Sequence, residues 1–195
     1  MKIMKSYNKN ELRDIVIAVA ALTIIFAFPH YYFLPIAFVA VVVAFLFHEL
    51  AHRYVARKFG AVSYFKLWPQ GLMMGFLLLI FGFRAAAPGA VVVQPYRYSR
   101  WRYRVTHLTV NEWGWIAVAG PIMNIVCAIV FATIAFLVPS IAFEANYIFL
   151  VSAVLGAFNL IPFGPLDGAK VMRWKMWFWA FLFVISAVLI FFAYI

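Results

Sequence analysis

The chain is short of charge and shorter still of acid. Charged residues make up 11% of its 195 positions, and only six are Asp or Glu. Hydrophobic residues make up 68%. A soluble domain is about half apolar and a quarter charged. That deficit excludes an ordinary soluble domain and identifies an integral membrane protein. The length fits one compact bundle, with no room for a soluble domain beside it. Cysteine is nearly absent. The single Cys127 lies in an apolar segment, which excludes a disulfide framework and a thiolate cluster and leaves a small packing residue. No internal repeat and no low-complexity tract occurs. The first apolar run lacks a small-residue cleavage site, so it reads as a retained anchor.

What charge there is sums to +10. Its distribution speaks against nucleic acid as a partner, because the basic residues flank apolar runs, as they do near anionic lipid. The segment Tyr96 to Arg104 interleaves Arg with Tyr and Trp. Such a pattern can stack single-stranded bases. Beside a membrane it is more simply an interfacial anchor. A bilayer core takes about 20 apolar residues per helix. Five candidate spans follow: Ile15 to Phe28, Leu34 to about Arg57, Trp113 to Val138, Ala145 to Ile161 and Met176 to Ile195. Every Lys and Arg lies before the first, from the last turn of the second (Arg53) to Arg104 before the third, or between the fourth and fifth. The positive-inside rule then puts the N-terminus in the cytoplasm. Gly71 to Ala87 is apolar, but both its flanks are basic and one full crossing is forbidden. A re-entrant hairpin or strand pair is expected there. Ala90 to Val93, after Pro88-Gly89, reads as a short strand whose edge, if open, suits an extended substrate.

Inside the second run stands His48-Glu49-Leu50-Ala51-His52. HExxH on a helix puts two imidazoles one turn apart on one face, within reach of a single metal ion, with a carboxylate between them. Glu49 is placed to act as a general base on water. His48 lies nine residues before Arg57, about 13 Å along a helix. Ionisable groups at such depth are functional candidates. A catalytic zinc takes three protein ligands, and the chain offers only two Asp. Asp14, in the basic N-terminal segment, reads as a surface charge. Asp167 ends a stretch from Asn159 that holds two Pro and, with Gly168, two Gly. That composition unwinds a helix end, and a broken helix in a membrane presents polar groups. Asp167 is therefore the candidate third ligand, with a turn residue before Lys170 as the alternative. Asn124 either links helices or donates to an oxyanion. Asn159 has the same options, or holds the broken backbone. His30 and His107 read as interfacial residues, and Glu112 and Glu144 as boundary charges.

These motifs resemble the site-2 protease family of intramembrane zinc metalloproteases, in particular its small prokaryotic members. His48, Glu49 and His52 match the family's HExxH. Gly120, Pro121 and Asn124 match its G-P-x-x-N. Asn159, Pro162, Pro165, Leu166, Asp167 and Gly168 match the N-x-x-P segment leading into L-D-G. Gly164 stands where many members have Pro, and Ala169 where many have a second Gly. The resemblance covers about Leu34 to Arg173. It implies one Zn2+ per chain on His48, His52 and Asp167, with Glu49 as the base. It also implies substrates that are transmembrane segments of other proteins, cut to release regulators or to clear remnants.

The expectations are these. The fold is all-α and polytopic, with five to six transmembrane helices and a re-entrant loop or short β-hairpin between the second and third main spans. Residues 1–195 form one metalloprotease domain, with neither a PDZ-like insertion nor a C-terminal regulatory domain. The chain is a multi-pass membrane protein whose site lies nearer the cytoplasmic side. The other function in contention is a non-catalytic zinc-binding or zinc-transport protein.

Overall fold

A computed structural model describes residues 10–94, 96–99, 102–105 and 107–193, with backbone alone at 96–99 and 102–105. The fold is all-α apart from two small strand pairs. Helix α1, Glu11–Ala27, leads into α2, Leu34–Val41. A π-helical turn, Val42–Leu46, joins α2 to α3, Phe47–Lys58. Strand β1, Val62–Leu67, is followed by a short helix α4, Pro69–Ile80, and by β2, Gly89–Gln94. A hairpin of β3, Tyr96–Ser99, and β4, Arg102–Val105, comes next. Then come α5, Val110–Leu137, and α6, Ala142–Asn159. Last are α7, Asp167–Trp174, and α8, Met176–Ala193.

Among the described residues, four helical stretches are long and apolar enough to cross a bilayer: Tyr31–Lys58, Val110–Leu137, Pro139–Asn159 and Met176–Ala193. The first of the five expected spans is α1. It has 17 residues and carries Glu11, Arg13 and Asp14 in its first turn. The stretch expected as a hairpin or strand pair is mostly helix α4. Twelve residues rise about 18 Å, too short for a crossing of about 30 Å. The strand pair is formed by the segments on either side of it. β2 runs antiparallel to β1, with Phe65 opposite Val91.

Small residues let the helices approach. Ala18, Ala37, Ala40 and Ala44 are fully buried where α1, α2 and the π turn meet α6, beside Leu22, Ile25, Val41 and Val151. A second cluster packs α5 against α7 and α8 through Val118, Leu160, Val171 and Leu182. Large side chains such as Phe38, Phe136, Phe181 and Phe192 point outwards, as lipid allows and water would not. Helix α5 starts with a capping box. Thr109 accepts from the Glu112 N–H at 3.2 Å, and Glu112 accepts from the Thr109 N–H at 2.7 Å. That gives Glu112 its place at the helix boundary.

Candidate metal centre

The centre is assembled by three helices, each irregular where it contributes. α3 supplies His48 and His52, both buried and one turn apart. Their Nε2 atoms lie 3.0 Å from one another. The Nδ1 of His52 lies 2.6 Å from the Ile116 carbonyl of α5. A carbonyl only accepts, so Nδ1 carries the proton and Nε2 turns its lone pair to the centre. An outer partner of this kind fixes the ring and its tautomer in metal sites.

α5 makes room and supplies that carbonyl. A Cβ on Gly120 would lie 2.3 Å from His52 Nε2 and 2.5 Å from His48 Nε2. Only glycine lets the helix pass so close to both rings. Pro121 follows inside the helix and has no N–H for the carbonyl four residues before it, Ala117. Ala117 and Ile116 both line the cavity beside the histidines.

α7 supplies Asp167 at its first position. Its Oδ2 lies 2.9 Å from His52 Nε2 and 3.2 Å from His48 Nε2. Its Oδ1 accepts from Lys170 Nζ at 2.8 Å. The chain between α6 and α7 is unwound, as the Pro and Gly content of 159–168 predicts. Gly164 takes a φ of 56°, a left-handed value that disfavours other residues. The loose carbonyl of Leu160 accepts from the Trp179 indole at 2.7 Å. Asn159 donates to the Leu155 carbonyl one turn back on α6 at 3.0 Å.

Beside the three residues lies a cavity of about 150 Å³. Glu49 and Asn159 line it, together with Trp68 and Trp113. Glu49 Oε2 is buried and has no hydrogen-bond partner among the described residues. Asn124 is not on this cavity. It is 1% exposed and borders a small void with His48, Glu49 and Asn159. Strand β2 forms another wall through Gly89, Val91 and Val93. The Trp68 N–H donates to Pro88 O at 2.8 Å. In the register of the pair, this makes 88, 90, 92 and 94 the positions bonded to β1. The backbone groups of 89, 91 and 93 then point the other way, along an edge that no strand pairs with among the described residues. The outer edge of β1 is closed instead. Glu11 accepts from the Phe65 N–H at 2.9 Å and Asp14 from the Leu67 N–H at 3.3 Å. Glu11 also pairs with Arg53, the residue after His52. Asp14 is thus not the surface charge its neighbours suggested. It is 6% exposed and seals a strand edge.

A metal ion suits the three groups. His48, His52 and Asp167 each offer one donor atom, all mutually within 4.8 Å and all buried. Lone pairs from at least His52 and the carboxylate face each other, an arrangement a cation satisfies. Ligands at about 2.1 Å from a tetrahedral zinc lie about 3.4 Å apart. The separations of 2.9–3.2 Å are close to that value. The donor set of two imidazoles and a carboxylate, with a cavity alongside, is that of a zinc hydrolase.

The fold and centre together define a polytopic membrane protein with a His-His-Asp group that could hold a metal ion. The chain is 39% identical over 180 residues to "Putative zinc metalloprotease MJ0611" of Methanocaldococcus jannaschii, covering 89% of each chain. It is 27% identical over 163 residues to "Putative zinc metalloprotease YwhC" of Bacillus subtilis, covering 72% of this chain and 68% of that one. No family model matches the chain, and no solved structure does. The chain belongs to this zinc metalloprotease family.

Sequence reasoning brought His48, Glu49, His52, Asp167 and Asn159 to one place, and the structure brings them together. His30 stays apart, packed on Tyr32 and Phe33. Reading residues alone missed the Ile116 carbonyl, Lys170 and the pair Glu11–Asp14. Lys170, three residues after Asp167 at a helix start, carried a usable signal. A backbone carbonyl and contacts across some 50 residues carried none. The basic and aromatic side chains of 96–104 lie outside the described residues.

Proposed function

We propose that the chain is an intramembrane endopeptidase of the site-2 protease type, cutting a peptide bond within or near a transmembrane segment of another membrane protein. The observation that carries this reading is the depth of the centre. His48 and Glu49 lie inside the apolar stretch Tyr31–Lys58, and Asp167 meets them from an unwound segment between apolar helices. His48, His52 and Asp167 would hold one zinc ion. Bound there, zinc would act as a Lewis acid on the scissile carbonyl and lower the pKa of a water molecule towards about 7.

The remaining work falls to the chain's own groups. Glu49 lines the cavity, and its Oε2, without a hydrogen-bond partner among the described residues, takes the proton of the attacking water and passes it to the leaving amine. It stays outside the trio of ligand groups, which suits a base and not a carrier's further ligand. The Asn159 amide, on the same cavity wall, is the better candidate for the oxyanion. The edge of β2 offers Gly89, Val91 and Val93 to a substrate strand. A helical substrate has its carbonyls tied up in i to i−4 bonds, so it must unwind to use that edge. The clusters of Lys and Arg favour a cytoplasmic N-terminus and a site nearer the cytoplasmic face.

The test is cleavage of a transmembrane substrate by the purified protein in detergent or liposomes. Zinc-dependent cleavage that disappears in Glu49→Gln is expected. Cleavage that survives Glu49→Gln, or metal flux into vesicles without cleavage, would overturn the reading.

A further inference from the structure

The stretch that carries the histidines is not one regular helix. The π turn Val42–Leu46 ends two residues before His48. A π turn holds about one residue more than an α turn, and each residue of an α-helix advances by about 100°. The state of these five residues therefore decides which way α3 faces relative to α2. If the turn tightened into α-helix with every residue kept, His48, Glu49 and His52 would swing by about 100°. Both imidazoles would leave Asp167.

π turns are rare and need a local cause. The side chain of Asn124 supplies one. The Ala44 carbonyl, within the turn, and the Gly156 N–H of α6 both face its amide. A carbonyl only accepts and an N–H only donates, which fixes the amide's orientation. Asn124 donates to Ala44 O at 2.7 Å and accepts from Gly156 N at 3.1 Å. The close approach depends on glycine, since a Cβ at 156 would lie 3.0 Å from Asn124 Cβ. One buried side chain thus ties α5, α6 and the π turn together.

We propose that Asn124 is a positioning residue that holds the π turn open and so sets the rotational phase of the metal-ligating helix. The proposal rests on reading His48, His52 and Asp167 as the ligands.

Three variants of the full chain test it: Asn124→Leu, deletion of Val43, and both together. Removing one residue from the turn closes it into a regular helix while keeping the phase of α3. The probes are cobalt(II) binding followed by visible absorption, and hydrogen exchange of the amides 46–52 in metal-free protein. Asn124→Leu alone is expected to weaken cobalt binding at least tenfold, change the absorption band and speed the exchange. In the Val43-deleted protein the same substitution is expected to change cobalt binding less than twofold. An unchanged cobalt affinity and spectrum in Asn124→Leu overturns the proposal, even if cleavage falls. So does an equal loss in both backgrounds, or a Val43 deletion that itself abolishes binding. If Asn124→Leu alone does not fold, the deleted background decides. If wild type binds no cobalt, or His48→Ala binds it equally well, the metal reading fails. Exchange in the metal-free protein then still decides the phase.

Discussion

Gly120 gives the most direct test of the centre's geometry. Adding a methyl group there puts a carbon 2.3 Å from His52 Nε2 and 2.5 Å from His48 Nε2 and Cε1. Ordinary contact begins at about 3.5 Å, so the shortfall is roughly 1 Å. α5 cannot easily retreat, because Val118 and Ala128 are fully buried on it and Asn124 is 1% exposed. The imidazoles must therefore move, by about 1 Å. Metal bonds tolerate about 0.2 Å, and a 1 Å misplacement in a catalytic site loses about 10²-fold in rate. Gly120→Ala should lower zinc affinity by 10²-fold or more, measured by competition with a chromophoric chelator, and should lower cleavage in step. Overpacking alone destabilises by about 1–3 kcal/mol, so a control is needed. Gly114→Ala provides it, because its Cβ would meet Trp174 at 2.0 Å, away from the histidines. That variant should lose thermal stability and keep its zinc affinity. A Gly120→Ala protein that binds zinc within threefold of wild type would refute the geometry.

Four further outcomes can be measured. Asp167→Asn keeps the shape of a ligand and loses its charge, so zinc affinity should drop at least 10²-fold and added chelator should inactivate the variant faster than wild type. Lys170→Met frees Asp167 Oδ1, now held at 2.8 Å. Lost outer partners of metal ligands weaken binding about 10–100-fold. Lys170 is 47% exposed, so the lower figure is expected, and an unchanged affinity would remove it from the site. Val91→Pro removes an N–H from the open edge of β2 without touching its bonds to β1. kcat/KM for a transmembrane substrate should fall about fivefold, one hydrogen bond's worth, with little change in melting temperature. A wild-type kcat/KM would show that substrates do not pair there. Asp14→Ala should speed hydrogen exchange at Leu67 at least tenfold, since a charged acceptor contributes about 1.5–3 kcal/mol. Unaltered exchange would mean that the edge is sealed by something else.

The metal centre was legible because its chemistry is written in local spacing. Two His at i and i+4 fix a face, and a cluster of Pro and Gly marks a break. With two Asp in the chain, elimination supplied a candidate third ligand. The α4 region was harder to read. Gly71 and Gly75 sit inside that helix. They are there for contact, since a Cβ at Gly71 would lie 2.1 Å from Ala87 O and one at Gly75 would lie 2.3 Å from Ala86 Cβ. Hydropathy cannot separate a glycine that bends a chain from one that lets another chain pass. Asp14 was misread for a related reason. It ends the basic N-terminal segment and pairs with the exposed Arg13 beside it at 3.1 Å, but its other oxygen accepts from the Leu67 N–H of β1, 53 residues away. Residues close in sequence are informative about such a group only when it faces solvent.

The three signature segments of the chain coincide with three departures from regular helix, and this explains why a bundle of apolar rods can hold a polar centre at all. A straight α-helix satisfies its own backbone and presents nothing to a ligand. Here the π turn precedes HExxH, Pro121 interrupts α5 between Gly120 and Asn124, and the unwound 160–166 delivers Asp167. Two of these irregularities are braced by a polar group from elsewhere, Asn124 on Ala44 and Trp179 on Leu160, and beside the third His52 engages the Ile116 carbonyl. Irregular backbone inside a membrane is tolerated only when it is satisfied in this way. The braces are therefore as necessary to the centre as its ligands. Removing one leaves the ligand residues in place and misdirects them, so its mark is weakened metal binding in a protein whose helical content is unchanged.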